Sequence, residues 1–96
     1  MKMVMICYNE AMEEEVMETL EGCALQNYTK IEGAFGRGTA SGTHRGDDIW
    51  PGRNNVLFVA GEDEKAARLL SCVRSLRERL RSEGIKAFVW DLAETT

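Results

Sequence analysis

The residues best suited to chemistry lie together between Gly36 and Arg53, in the segment GRGTASGTHRGDDIWPGR. His44, Asp47 and Asp48 put one imidazole and two carboxylates within five positions, a donor set that suits a divalent cation. Ser41, His44 and Asp47 have the residue types of a hydrolase triad, but triads need rigid supports and these three share one glycine-rich stretch, so no catalytic residue is assigned. Gly36, Gly38 and Gly42 miss the dinucleotide spacing by one position, open no helix and lack a Walker lysine, so they read as hinges or as backbone contacts to an anion. Trp50, before Pro51, is the residue type that anchors a protein partner, and it could equally pin the loop to a neighbouring subunit.

The three cysteines complete the reactive inventory. Cys7, Cys23 and Cys72 are odd in number and show no paired spacing, so they are expected to be reduced thiols that serve mainly as small apolar side chains; only Cys23, just past a helix end, is expected to be reachable.

Two βαβ units must hold this segment. Lys2 to Tyr8 is a short apolar run that predicts a buried strand. Asn9 can cap a helix with Glu10 and Glu13 in its first turn and an apolar face of Met12, Val16, Met17 and Leu20, stopped at Gly22. Tyr28 to Phe35 alternates, with Thr29, Ile31, Gly33 and Phe35 on one face. Asn55 to Gly61 is apolar on both faces and is therefore expected in the centre of a sheet or in an interface. Asp63 can cap the longest helix, whose stripe reads Ala66, Leu69, Leu70, Val73, Leu76 and Leu80, with Gly84 as its stop. Lys86 to Leu92 is the last strand. The order β-α-β-loop-β-α-β predicts an α+β fold, a ferredoxin-like βαββαβ sandwich with a four-stranded antiparallel sheet and two helices on one face. The loop is long for a compact domain, and such loops are usually functional or disordered.

Composition bounds the function. At 96 residues the chain suits one domain, and its 44% hydrophobic and 29% charged residues are those of a soluble globular protein. A net charge of −4 argues against a general nucleic-acid binder, and Met5, Cys7, Val56 and Phe58 do not supply the aromatic stacking strands of an RNA-binding domain of this topology. No apolar run reaches the roughly 20 residues of a membrane span, so membrane insertion is not expected, and reduced thiols are expected in a cytoplasm. Both faces of the first and third strands are apolar, Met3, Met5 and Cys7 against Val4, Ile6 and Tyr8, and Val56 and Phe58 against Leu57 and Val59. Each large apolar side chain left in water forfeits about 1.5–3 kcal/mol, so the helix-free face is expected to be covered by another subunit; a core sealed by the long loop is the alternative.

The start MKMVMICYNEAMEEEVMETL, the segment IEGAFGRG leading into the loop, the stretch HRGDD and the run NNVLFVAGEDEKAARLL together resemble the PII signal-transduction superfamily. The resemblance covers roughly Lys2 to Leu92 and implies one PII-like domain over residues 1–96, assembled as a homotrimer with sheets facing inward, with residues 36–53 as a flexible T-loop. It implies a non-enzymatic regulator that binds a small effector at intersubunit clefts and signals to a protein target through that loop. Phe35-Gly36-Arg37 matches the family's FGR motif at the loop base, which makes Gly36 and Arg37 effector-binding candidates, joined by Gly38. Arg45-Gly46 resembles the pair before the family's modified tyrosine, but Asp47, Asp48, Ile49 and Trp50 follow, so uridylylation is not expected. His44, Arg45, Asp47, Asp48 and Trp50 are the target-contact candidates.

Two departures bear on the ligand. The family's glycine-rich B-loop with its lysine is reduced here to Arg81 to Ile85, and WDLAETT carries none of the arginines that usually follow the fourth strand. Standard adenine-nucleotide binding is therefore not expected, and the effector is left open. The alternative is a CutA-like trimer binding a divalent metal through His44, Asp47 and Asp48; an amino-acid-binding domain of the same topology stands third.

Overall fold

The computed structural model describes residues 1–36, 52–80 and 84–96. The elements are β1 (Lys2–Asn9), a 3-10 turn (Glu10–Met12), α1 (Glu13–Glu21), β2 (Thr29–Phe35), β3 (Arg53–Gly61), α2 (Asp63–Arg79) and β4 (Ile85–Asp91). The four strands form one sheet in the order β2-β3-β1-β4, and every neighbouring pair is antiparallel. This is the expected βαββαβ arrangement, with β3 central as its two-sided apolar pattern required.

The core lies between the helices and one face of the sheet. Val4, Ile6 and Tyr8 of β1, Leu57 and Val59 of β3, and Ile85 of β4 are buried against Val16, Met17 and Leu20 of α1 and Ala66, Leu69, Val73 and Leu76 of α2. Strand register explains the layer. Val4 pairs with Val59 and Val89, and Ile6 with Leu57 and Ala87, so alternate residues of adjacent strands converge on the helices. Leu70 and Leu80 of the predicted stripe are only half-buried, because they sit at the margins of the face that meets the sheet.

The opposite face carries Met3, Met5, Cys7, Ile31, Val56, Phe58, Phe88 and Trp90, in register across the sheet. Within this chain Ile31 is 50% exposed, Phe88 42% and Trp90 44%. Among the described residues no helix packs on that face, and none is long and apolar enough to cross a membrane.

Several local expectations need correction. Asp63 does not cap α2 but is its first residue, with Glu62 at the N-cap position and no side-chain cap bond, and the helix ends at Arg79 with Leu80 as its C-cap, before Gly84. Asn9 does act as a cap, its side chain accepting from the Ala11 amide at 2.9 Å, but it opens the 3-10 turn, and α1 starts only at Glu13. Phe35 does not share a face with Ile31: the four residues from Ile31 to Ala34 oppose the three from Val56 to Asn54, and this one-residue bulge carries Phe35 across. Gly33 sits in the bulge with φ 75°, a conformation that favours glycine. Finally, Cys23 and Cys72 are not separate thiols but are joined as a disulfide, with Cα atoms 6.7 Å apart. Spacing along the chain could not show this, because the turn after α1 brings residues 49 positions apart to the same place. Cys7 is free.

Candidate functional site

Antiparallel pairing brings the two connections of interest to one end of the sheet. β2 ends and β3 begins there, flanking the 37–51 segment, and β1 ends beside the start of β4, which follows residues 81–83. The loop base is closed by backbone: the Gly36 amide donates to the Gly52 carbonyl at 2.7 Å. Asn54 Nδ2 reaches the same carbonyl at 3.4 Å. A Cβ on Gly36 would lie 2.6 Å from that Asn54 nitrogen, so a larger residue here would have to displace the amide side chain. Gly52 is left-handed at φ 77°, and the Phe35 ring stacks over it while remaining 81% exposed.

Asn9 links the loop base to the second connection. It opposes Asn54 across β1 and β3, and its amide donates to the Gly84 carbonyl at 2.7 Å. Gly84 has φ 79°, and a Cβ there would meet Met12 Sδ at 2.7 Å. The rim is therefore built from Asn9, Asn54, Gly36, Gly52 and Gly84, with the guanidinium of Arg53 held loosely by Glu10 at 4.0 Å. Arg53 is exposed and the pair is long, so little ties its charge down.

Beneath the rim lies a polar cluster on the helix side of the sheet. The Glu13 carboxylate accepts from the Tyr8 hydroxyl at 2.5 Å, from Asn55 Nδ2 at 2.9 Å and from the Lys30 ammonium. Asn55 in turn accepts from the Gly33 amide at 3.3 Å, tying the cluster to the β2 bulge. Burial pushes the Glu13 carboxyl up, but hydrogen bonds from Lys30, Tyr8 and Asn55 together hold it below its ordinary value. Tyr8 is raised well above the usual phenol, first by burial and then by the Glu13 carboxylate that its hydroxyl serves. Lys30 is raised chiefly by its hydrogen bond to Glu13. All buried side-chain nitrogens and oxygens among the described residues have partners, so the cluster is a finished support that fixes β1, β2, β3 and α1 to one another at the loop base.

Of the residues expected at the site, Gly36 stands at the loop base with its amide already bonded. Arg37, Gly38, His44, Arg45, Asp47, Asp48 and Trp50 lie outside the described residues, as does most of the Arg81 to Ile85 connection. Among the described residues no group of three or more His, Cys, Asp or Glu side chains could hold a metal ion. A groove along α1 is lined by Glu13, Glu14, Met17, Glu18 and Glu21, a setting that repels anions. Anionic ligands fit the rim better, where Arg53 is an exposed cation. Sequence reasoning missed Asn9, Glu13, Asn54 and Asn55 as a connected set. The available signal was the Asn54-Asn55 doublet, since asparagine is disfavoured in strands and two at a strand start call for partners.

The whole chain, residues 1–96, matches the family model described as nitrogen regulatory protein P-II. Among solved structures it is similar to a PII-like signaling protein of Thermus thermophilus, at 25% identity and TM-score 0.62, covering 93% of this chain and 82% of that one. It is also similar to the apo form of a nitrogen regulatory PII-like protein of Thiomonas intermedia, at 17% identity and TM-score 0.67, covering 95% of this chain and 87% of that one. The same Thiomonas protein bound to ADP, AMP and acetate matches at 18% identity and TM-score 0.65, covering 95% of this chain and 84% of that one. No curated protein matches the chain in sequence.

Proposed function

Because this chain belongs to the nitrogen regulatory protein P-II family, we propose that it is a homotrimeric, cytoplasmic signal-transduction protein rather than an enzyme. In this reading a small effector binds where the loop base of one subunit meets its neighbour, and the 36–53 loop passes the result to a protein target. The observation that carries the reading is the helix-free sheet face. Phe58, Phe88, Met5 and Trp90 adjoin one another across three strands, and covering them with sister copies removes a cost comparable with a small domain's net stability. Stacking copies on that face also brings each loop base to the margin of a shared cleft.

Arg37, with Gly36 and Gly38, is the proposed effector contact, and Arg53 adds a second cation at the rim. His44, Arg45, Asp47, Asp48 and Trp50 are the proposed target contacts. ADP and AMP are the first probes, because the Thiomonas structure carries them, although the short Arg81 to Ile85 connection here lacks a phosphate-binding lysine. An effector switches the loop only if it binds one loop state better than the other. The family and structural matches give no support to the CutA-like alternative.

A thermal-shift series with ADP, AMP and divalent metals tests the reading, since a ligand that prefers the folded state raises Tm. A nucleotide response that Arg37→Ala removes and His44→Ala leaves in place supports the reading. A metal response removed by His44→Ala would transfer the assignment to the metal-binding alternative.

A further inference from the structure

We propose that Cys23 and Cys72 form a reversible thiol–disulfide modification site, exchanging with low-molecular-weight thiols of the glutathione class and setting the stability of the helix layer without touching the loop base. Cys23 lies in the turn after α1 and is exposed, whereas Cys72 lies within α2, half-buried against the core. Exchange needs one sulfur open to attack, which Cys23 provides, and attack there displaces Cys72. The reduced state is also provided for. The Cys23 sulfur lies 3.8 Å from the Arg68 carbonyl, an acceptor for its thiol hydrogen, and a half-buried Cys72 thiol packs as a small apolar group. Opening the bond thus strands no polar atom.

The position gives the bond its effect. The disulfide closes a separation of 49 residues and fastens the turn after α1 to α2. Apart from core packing and the Cys23 sulfur's own contact with Arg68, the described side-chain ties between the helices are made by Arg79, which meets Glu15 at 3.5 Å and Thr19 Oγ1 at 3.1 Å, both exposed contacts. α1 runs away from the loop base, so Cys23 sits toward the other end of the layer, on the side opposite the apolar sheet face. It stays accessible when that face is covered. In the cytoplasm proposed above, disulfides are typically transient or regulatory.

The exchange balances. A small thiolate attacks the Cys23 sulfur, and Cys72 leaves as a thiolate and takes a proton. A second small thiol then releases Cys23 from the mixed disulfide. The protein bond gains two electrons and two protons, and two small thiols become one small disulfide; oxidised glutathione drives the reverse.

The test equilibrates the intact protein with a series of reduced-to-oxidised glutathione ratios, traps thiols with N-ethylmaleimide and reads the sites by peptide mass spectrometry. Cys23 and Cys72 should change state together with a midpoint inside the series. Tm at fixed protein concentration should fall by roughly 10–20 °C from the oxidised to the reduced end. The double variant C23S/C72S should show the lower Tm in every buffer. A pair that stays bonded throughout, never bonds, or instead links Cys7 or two chains overturns the proposal. Because no effector enters the experiment, its outcome is independent of the signalling role.

Discussion

Replacing Glu13 with glutamine removes one charge at the support beneath the loop base while keeping the side-chain volume. Three donors converge on the carboxylate, from Tyr8, Lys30 and Asn55. A glutamine carbonyl can serve two of them at most, and its own NH2 would face the rest. Hydrogen bonds to charged groups contribute about 1.5–3 kcal/mol each, and the Lys30 side chain, only 17% exposed, would lose its counter-charge. The Glu13 side chain is itself 35% exposed, so water replaces part of what is lost. Discounting by about half for that screening leaves an expected cost of about 2 kcal/mol for E13Q. Urea unfolding at fixed protein concentration measures it, and the same substitution in a Lys30→Met background isolates the pair, with an expected coupling of about 1 kcal/mol. An E13Q protein within about 0.5 kcal/mol of the parent, or strictly additive losses, would refute the account of this cluster as a charge-assisted support.

The same carboxylate predicts a pH dependence. With its folded pKa held below the ordinary value, its contribution is complete above the unfolded value, about 4.3, and is lost as pH falls through the folded one; the stability of E13Q should therefore vary less over that acid range in denaturant titrations. Gly84→Ala should cost more than Gly33→Ala. Both positions are left-handed, a penalty of about 1 kcal/mol for a side chain, but a Cβ at Gly84 also meets Met12 Sδ at 2.7 Å while Gly33 has open space, so thermal melts should rank them with Gly84→Ala lower. Phe88→Glu, on the β4 edge of the helix-free face beside Met5, should keep the circular dichroism of the fold and abolish assembly in light scattering; an unchanged particle mass would count against that face as the interface.

Much of this architecture was legible because two periodicities are clean. Val4, Ile6 and Tyr8 alternate against Met3, Met5 and Cys7, and Val16, Leu20, Leu69, Val73 and Leu76 recur at helical spacing, so element type and order follow from local pattern. What escaped depends on contacts distant in sequence. The bulge at Gly33 breaks the alternation of β2 only once β3 is paired beside it. The joining of Cys23 to Cys72 needs the α1 turn folded onto α2. At the site, Gly36 and the FGR motif could be read directly, whereas the Tyr8-Glu13-Lys30-Asn55 cluster combines residues up to 47 positions apart, 55 minus 8, each of which reads singly as an ordinary strand or helix residue.

Sedimentation equilibrium of the unmodified chain at micromolar concentration tests most directly whether sister copies cover the apolar face. A homotrimer gives a particle of about 32 kDa, three times 10.8 kDa. A species that remains at 10.8 kDa across the concentration range would contradict the assembly, and with it a signalling cleft built between subunits.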